Sequence, residues 1–444
     1  MSNVNSGMKL PSPSVMRMLE LLSVFPAYLH GEVMKQVYVQ GIGKKEHFDL
    51  VALGFMNSTE GLVTSKLTPG GFYTGVWCRD ASYIINESFM MGKHEKVTEW
   101  LEWIWKHQIS SKDDNDNDRG RPFKFVHGRG SPEMSYRMVA AQKDSDSTGA
   151  KFFADFAGAL PTSIQNGYCE VYGKSPDVDS TALMTSVTCK CCMGNDPLAA
   201  KLIPMLRNAI KFLESRDLDG DLLLEQGPNE DWMDRMLRSG KLVYNQGLWI
   251  DALRQWSALL RKSGKNEEEA GKAGKKAESV TEAVESKLWR NDLVCYADES
   301  TTGNPNDAKI TQDIFFFLLA IREKKYSQER IAQTMATVER VLWKKHGSAC
   351  QEPPSKNTVP PTLGPYKYQN GGVWSWTNAT EILARLSYGQ IKEPRILLER
   401  ILPVAQLEWI DPNNTRSGGA FPFRTGIAAT RTALREFLTL SHQA

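Results

Sequence analysis

Apolar residues along this chain recur mostly with the spacing of a helix rather than a strand. In "NQGLWIDALRQWSALL", Leu248, Trp249, Ala252, Leu253, Trp256, Leu259 and Leu260 form a broad stripe at i, i+3/i+4 and i+7. Val97, Trp100, Leu101, Trp103, Ile104 and His107 keep the same spacing after a hinge at Met91-Gly92. "MRMLELLSVFPAYLHGEVMKQVY" is a further apolar-rich helical stretch, broken at Pro26. The pattern changes over residues 42–78, where β-branched pairs and the turn signal "LTPGGFYTGVW" predict irregular or extended chain. "SSKDDNDNDRGRPFKFVHGRGSPEMS" is polar and turn-rich, a surface loop. "NEEEAGKAGKKAESVTEAVESKLW" is charged and predicts an outward-facing helix.

The helices come in pairs. Polar, aromatic-bearing loops lead into apolar helices near Asp80, Asp177, Asn245, Thr311, Trp374 and Thr425, and the first five are followed by a more charged partner. The sixth would take its partner from elsewhere, the N-terminal helix being the candidate. Such a repeat predicts an all-α fold, an (α/α)6 toroid with parallel inner helices. It is expected to be a single domain over residues 1–444, with residues 1–70 adding a helix and an irregular segment packed on it. An all-α bundle with fewer, irregular hairpins is the plainer alternative.

Composition narrows the function. A formal charge of +2 over 444 residues offers no basic stripe for nucleic acid. No apolar run approaches the ~20 residues of a membrane span, and the N-terminus lacks a secretory pattern, so a reduced cytoplasmic setting is expected. Cys189, Cys191 and Cys192 lack a second pair or a histidine at zinc-finger spacing, and incidental thiols are the expectation. No metal or organic cofactor is implied. Twelve tryptophans suit a core, and they also suit the flat apolar faces of sugar rings.

With inner helices parallel, the loops before them meet at one rim. These loops include "GGFYTGVWCRD", "GKSPDVDS", "GPNEDWMDRM" and "GPYKYQNGGVWSW", rich in aromatics, acids and amides. One acid at a helix start is an ordinary cap, but the shared bias of six loops fits a carbohydrate site. Glycoside hydrolysis needs one carboxyl to protonate the leaving oxygen and another to activate water or attack. Asp234, beside Trp232 and Met233, is the candidate donor, because burial there would raise a carboxyl's pKa. Glu230, one turn away if the stretch is helical, would bind hydroxyls or tune Asp234; the plain reading is a helix N-terminus decorated with acids. Glu408 is the candidate base. Asp411 is its local competitor, although "DPNN" accounts for that residue as a turn. Arg79 and Asp80 together could hold a vicinal diol, or form a structural ion pair.

From about Gly70 onward the chain resembles the six-hairpin glycosidases, which include glucoamylase, trehalase, mannosylglycerate hydrolase and the amylo-α-1,6-glucosidase part of glycogen debranching enzyme. "WCRDASYI" is similar to the segment that holds the sugar in the innermost subsite, and "DVDSTAL" to a glucoamylase-type helix start. "EDWMDRM" resembles the stretch carrying the general acid, which falls on Asp234. "YNQGLWIDAL" and "QNGGVWSWTNA" resemble debranching-type segments, with Ser375 where proline is common. "EWIDPNNTRSGGAFPFRTG" is similar to the segment with the general base, which falls on Glu408, while Phe421 or Phe423 stands where tryptophan is frequent.

The resemblance implies an inverting, exo-acting hydrolase of α-glucosidase type. Asp234 and Glu408 would be catalytic, and Tyr73, Trp77, Arg79, Asp80, Glu230, Trp232, Tyr244, Asn245, Trp374 and Trp376 would shape the sugar site. The rivals are a toroid phosphorylase, for which Arg416 and Arg424 could supply phosphate-binding charge, and a carbohydrate-binding protein without chemistry. The partner expected is a carbohydrate, with no nucleic acid and no membrane. Oligomeric state is left open.

Overall fold

The computed structural model describes residues 44–110, 123–127, 135–139, 153–228, 230–236, 238–264, 266–300, 309–322, 327–356, 358, 363–414 and 416–441. The chain divides into two compact units, Met1–Leu62 and Val63–Ala444. Helix α1, Lys44–Ser65, begins in the first and ends in the second. This corrects the irregular segment expected over 42–78. Phe48, Val51, Ala52, Phe55 and Val63 carry a helical spacing that the β-branched residues and glycines around them obscure. Only residues 66–77 keep the expected irregular character, ending in the short strand β1, Val76–Trp77. The helix expected around Pro26 lies outside the described residues.

The second unit is built from helical hairpins. Helices α2 (Cys78–Met90) and α3 (His94–Trp105) form the first, α4 (Val178–Cys192) and α5 (Asp196–Glu214) the second, α6 (Val243–Ser263) and α7 (Glu267–Lys287) the third. Then come α8 (Ile314–Ala320) with α9 (Gln328–Leu342), α10 (Ser375–Ser387) with α11 (Lys392–Ile401), and the final helix α12 (Arg424–Ser441). All six inner helices begin within three residues of the starts expected from sequence. They pack in the circular order α2, α4, α6, α8, α10, α12 and back to α2, which closes the toroid.

Burial follows this placement. On α6 the whole stripe from Leu248 to Leu260 is buried, since an inner helix touches neighbours on both flanks and an outer helix behind. On α7 a narrow face of alanines, valines and Thr281 is buried, and the side chain of Asn266 caps the helix by accepting the Glu269 N–H at 3.0 Å. Gly247 marks a close approach of one inner helix to the backbone of the next. A Cβ there would lie 2.4 Å from the backbone nitrogen of Phe317 in α8.

A small sheet departs from the all-helical expectation. Strands β2 (Phe123–His127), β3 (Ser135–Val139), β4 (Ser163–Gln165) and β5 (Tyr168–Val171) join β1 in a five-stranded sheet of order β1-β4-β5-β2-β3. The pairs are antiparallel except β2 with β5. Part of the stretch read as surface loop is therefore sheet. The alternation Phe123, Lys124, Phe125 is the strand signal, and Phe123 is buried against Phe153 with ring centroids 5.7 Å apart.

Candidate active site

Loops that precede five of the inner helices line an open cavity. Its walls carry Asp80 from the first turn of α2, Asp177 just before α4, Asp231, Trp232 and Asp234 from the loop before α6, and Tyr368, Gln369 and Trp374 from the loop before α10. Glu408 and Phe423 come from the loop before α12. Later turns of all six inner helices line a second, largely apolar cavity, with Asn86, Lys190, Thr380 and Thr432 among its residues. First turns at one cavity and later turns at the other mean that α2, α4, α10 and α12 run the same way along the axis.

The aromatic wall is a set of edge-packed rings. Trp232 meets Trp374 at 5.5 Å and Trp376 at 4.9 Å between centroids, both edge-on, and Trp374 meets Tyr368 at 5.0 Å. Tyr73 packs edge-on against Trp77 at 4.7 Å. Each edge-to-face contact covers one face of one partner only, and a face left toward the cavity can stack on a sugar ring.

Glu408 and Asp234 line the same cavity. Glu408 immediately precedes a two-strand turn, Trp409–Ile410 against Ser417–Gly418. That turn folds the glycines back over it. Gly419 has φ +80°, and a Cβ there would lie 2.1 Å from Glu408 Oε2, so only glycine fits. The carboxylate accepts from the Ala420 N–H and from the Tyr73 hydroxyl at 2.8 Å. Burial nevertheless pushes the Glu408 carboxyl up to about 7, against the lowering effect of these two bonds. Asp411 does not line the cavity; its oxygens accept from the Asn413 N–H at 2.9 Å and the Asn414 amide at 2.7 Å, as a turn residue.

The segment around Asp234 is a series of turns, and the next helix begins only at Val243. The acids there are not a helix cap. Asp231 accepts from the Met233 N–H at 2.8 Å and from Arg238 at 2.7 Å; Arg238 also donates to Asp313 at 2.6 Å. Asp313 holds the Trp232 indole N–H at 3.0 Å, and burial lifts its carboxyl to about 6 despite the guanidinium. Gln369 donates to Asp234 Oδ1 at 3.0 Å.

Arg79 sits between Asp80, at 3.1 Å, and Asp179, at 3.3 Å, while Thr425 donates to the other oxygen of Asp80 at 2.8 Å. The paired donor and acceptor groups expected from "WCRD" therefore stand on the cavity wall. Of the ten residues expected to shape the sugar site, Tyr73, Trp77, Arg79, Asp80, Trp232, Trp374 and Trp376 line it; Glu230, Tyr244 and Asn245 stand behind the wall. Glu230 accepts from the Ser175 N–H at 2.9 Å and the Gly227 N–H at 2.6 Å, tying two rim loops together. Tyr244 donates to Asp179 at 3.2 Å and Asn245 to Gln226 at 2.5 Å.

Sequence reasoning did not single out Pro69, Thr162, Tyr172, Tyr368, Gln369 or Phe423 as an assigned part of this wall. Tyr368 and Gln369 lie in a loop already marked by its aromatics. Thr162 and Tyr172 flank the β4–β5 pair and carry no local signal. Burial pushes the Cys191 and Cys192 thiols up to about 12, as inert core thiols. Among the described residues, the acids close enough to share an ion are Asp217, Asp219 and Asp221. Lys241 already reaches Asp219 at 2.7 Å and Asp221 at 2.6 Å.

A closed ring of inner helices, with acids and aromatics gathered in a cup lined by the loops before them, is the (α/α)6 toroid fold of the six-hairpin glycosidases. The amylo-alpha-1,6-glucosidase family model matches residues 192–413, half of the chain, and the chain belongs to that family of glycoside hydrolases. No match was found among curated proteins. Among solved structures, the chain is similar to a mannosylglycerate hydrolase from Thermus thermophilus in complex with glucose, at 15% identity and TM-score 0.57, covering 85% of this chain and 99% of that one. A glycosidase gives TM-score 0.61 at 13% identity over 89% and 99% of the two chains. A bacterial glucoamylase complexed with acarbose gives 0.56 at 12% identity over 89% and 56%. At these identities the likeness is one of fold.

Proposed function

We propose that this protein is an inverting, exo-acting hydrolase of small α-glucosides or gluco-oligosaccharides, with Asp234 as general acid and Glu408 as general base. The observation that carries the proposal is the meeting of these two carboxyls, 174 residues apart in sequence, in one aromatic cup. Arg79 with Asp80 would hold sugar hydroxyls, and the indoles would stack on the ring. Asp234 gives its proton to the leaving oxygen, Glu408 takes one from the attacking water, and the glycosidic bond is replaced by a bond to the water oxygen on the opposite face. Exchange with solvent restores both groups.

The surroundings of Glu408 favour water over phosphate as the nucleophile. Among the described residues lining the cavity, Arg79 is the one cation against five carboxyls, and it is held by two of the surrounding acids. Arg416 is exposed and Arg424 donates to Thr68 at 3.1 Å; neither lines the cup. The family's name and the glucose in the similar hydrolase support a glucoside over another glycone. Seven free, buried cysteines support the cytoplasm as its setting.

The test is a panel of α-linked disaccharides and sugar-glycerates, with and without phosphate, in which the anomer of the first product is followed by NMR. Inverted free sugar, formed equally well without phosphate, is expected; sugar phosphate would mean a phosphorylase, and retained anomer a different role for Glu408. Asp234→Asn and Glu408→Gln should each cut kcat by about 10³ or more with circular dichroism unchanged. Binding without turnover in the unmodified protein would leave only a carbohydrate-binding function.

A further inference from the structure

Gln369 stands on the loop before α10, 135 residues from Asp234, and is 2% exposed. Its amide nitrogen donates to the backbone oxygen of Trp232 and to Asp234 Oδ1 at 3.0 Å. Its carbonyl oxygen accepts the Arg235 N–H at 2.9 Å. One side chain thus meets the "WMDR" turn at three points. The orientation of the amide is settled by its partners: turned over, the NH₂ would face an N–H, and the carbonyl would face a carbonyl and a carboxyl oxygen.

An amide nitrogen has only protons to give. Asp234 Oδ1 therefore acts as the acceptor, and the bond favours a proton on Oδ2, since a carbonyl oxygen accepts better than a hydroxyl oxygen. We infer that Gln369 is a positioning residue for the general acid: it holds the turn, reserves Oδ1, and so selects Oδ2 as the oxygen that delivers the proton. The inference rests on the proposed role of Asp234.

The test compares substrates that differ in their need for protonation. An α-linked disaccharide has an alcohol leaving group that needs the proton, whereas the corresponding α-glycosyl fluoride leaves with little help. Gln369→Met removes both donors at similar size. It is expected to lower kcat on the disaccharide by about 30- to 100-fold with KM within about threefold, while the fluoride loses less than about fivefold. Equal losses on the two substrates would make Gln369 a mere tether and overturn the inference. Asp234→Asn in the same assay separates the two claims: if it still cleaves the disaccharide normally, the general-acid role itself falls.

Discussion

At the scale of single residues, burial has its clearest chemical consequence at Glu408. Its two hydrogen bonds do not offset the loss of water, and the carboxyl rises to about 7. A base must be ionised to accept a proton. As pH falls below 7, kcat/KM should drop about tenfold per unit, an acid limb centred near 7. A profile that stays level between pH 5 and 8 would count against Glu408 as the base. The same shift acts on stability. An unfolded glutamate has a pKa of about 4.3, so between that value and 7 the unfolded chain gives up a proton that the folded protein retains. Stability therefore declines as pH rises through this window, by up to about 3 kcal/mol above pH 7. Glu408→Gln, which cannot ionise, should be more stable than the parent at pH 8 and indistinguishable near pH 4 by urea unfolding. Both acids could be nominated from the sequence, through their aromatic neighbours and motif order, and both line the one cup. The carboxyl lifted by burial is the candidate base, and that depends on how the glycine turn closes over it.

At the scale of elements, the turn bearing Asp234 is held by long-range contacts and not by its own conformational preference. Arg238 bridges Asp231 and Asp313, with side-chain exposures of 1% and 0%, and Asp298 lies 3.9 Å away. Removing one partner of a buried ion cluster leaves the others uncompensated. Arg238→Leu should cost about 3–5 kcal/mol in urea unfolding and loosen the Trp232 indole that Asp313 holds. A loss below 1 kcal/mol would show that the acids simply take up protons. None of this was legible locally. Glu230, Tyr244 and Asn245 share their loops' composition with the cavity residues, yet bond to Ser175, Asp179 and Gln226 behind the wall. Composition marks a rim loop but does not say which side chains turn inward. The helix α1 and the strands β2 and β3 show the same limit at element scale, where glycine-rich and charged surroundings hid real periodicity.

At the scale of the whole molecule, ring closure is what brings the acids together, and it requires the inner helices to approach closely. Gly247→Ala would push a methyl to 2.4 Å from the Phe317 backbone. It should lower stability by roughly 1–3 kcal/mol through overpacking. Because the shift would be shared by α6 and α8 beneath the Asp234 loop, activity should fall as well. Unchanged melting would mean that the ring accommodates the methyl by sliding.

The alternation of loop and helix along the chain is a local matter, set by which residues can bury one face, and so the sequence by itself determined six inner helices, their starts and the bias of the rim. Two acids from mid-chain and tail could be nominated on the same grounds. Which of the nominated side chains reach the cup, what stands behind them, and how much water each has lost were decided only by the tertiary structure. Hydrogen-bond partners at the two acids include Tyr73 for Glu408 and Gln369 for Asp234, from segments more than a hundred residues away, and no local pattern encodes them.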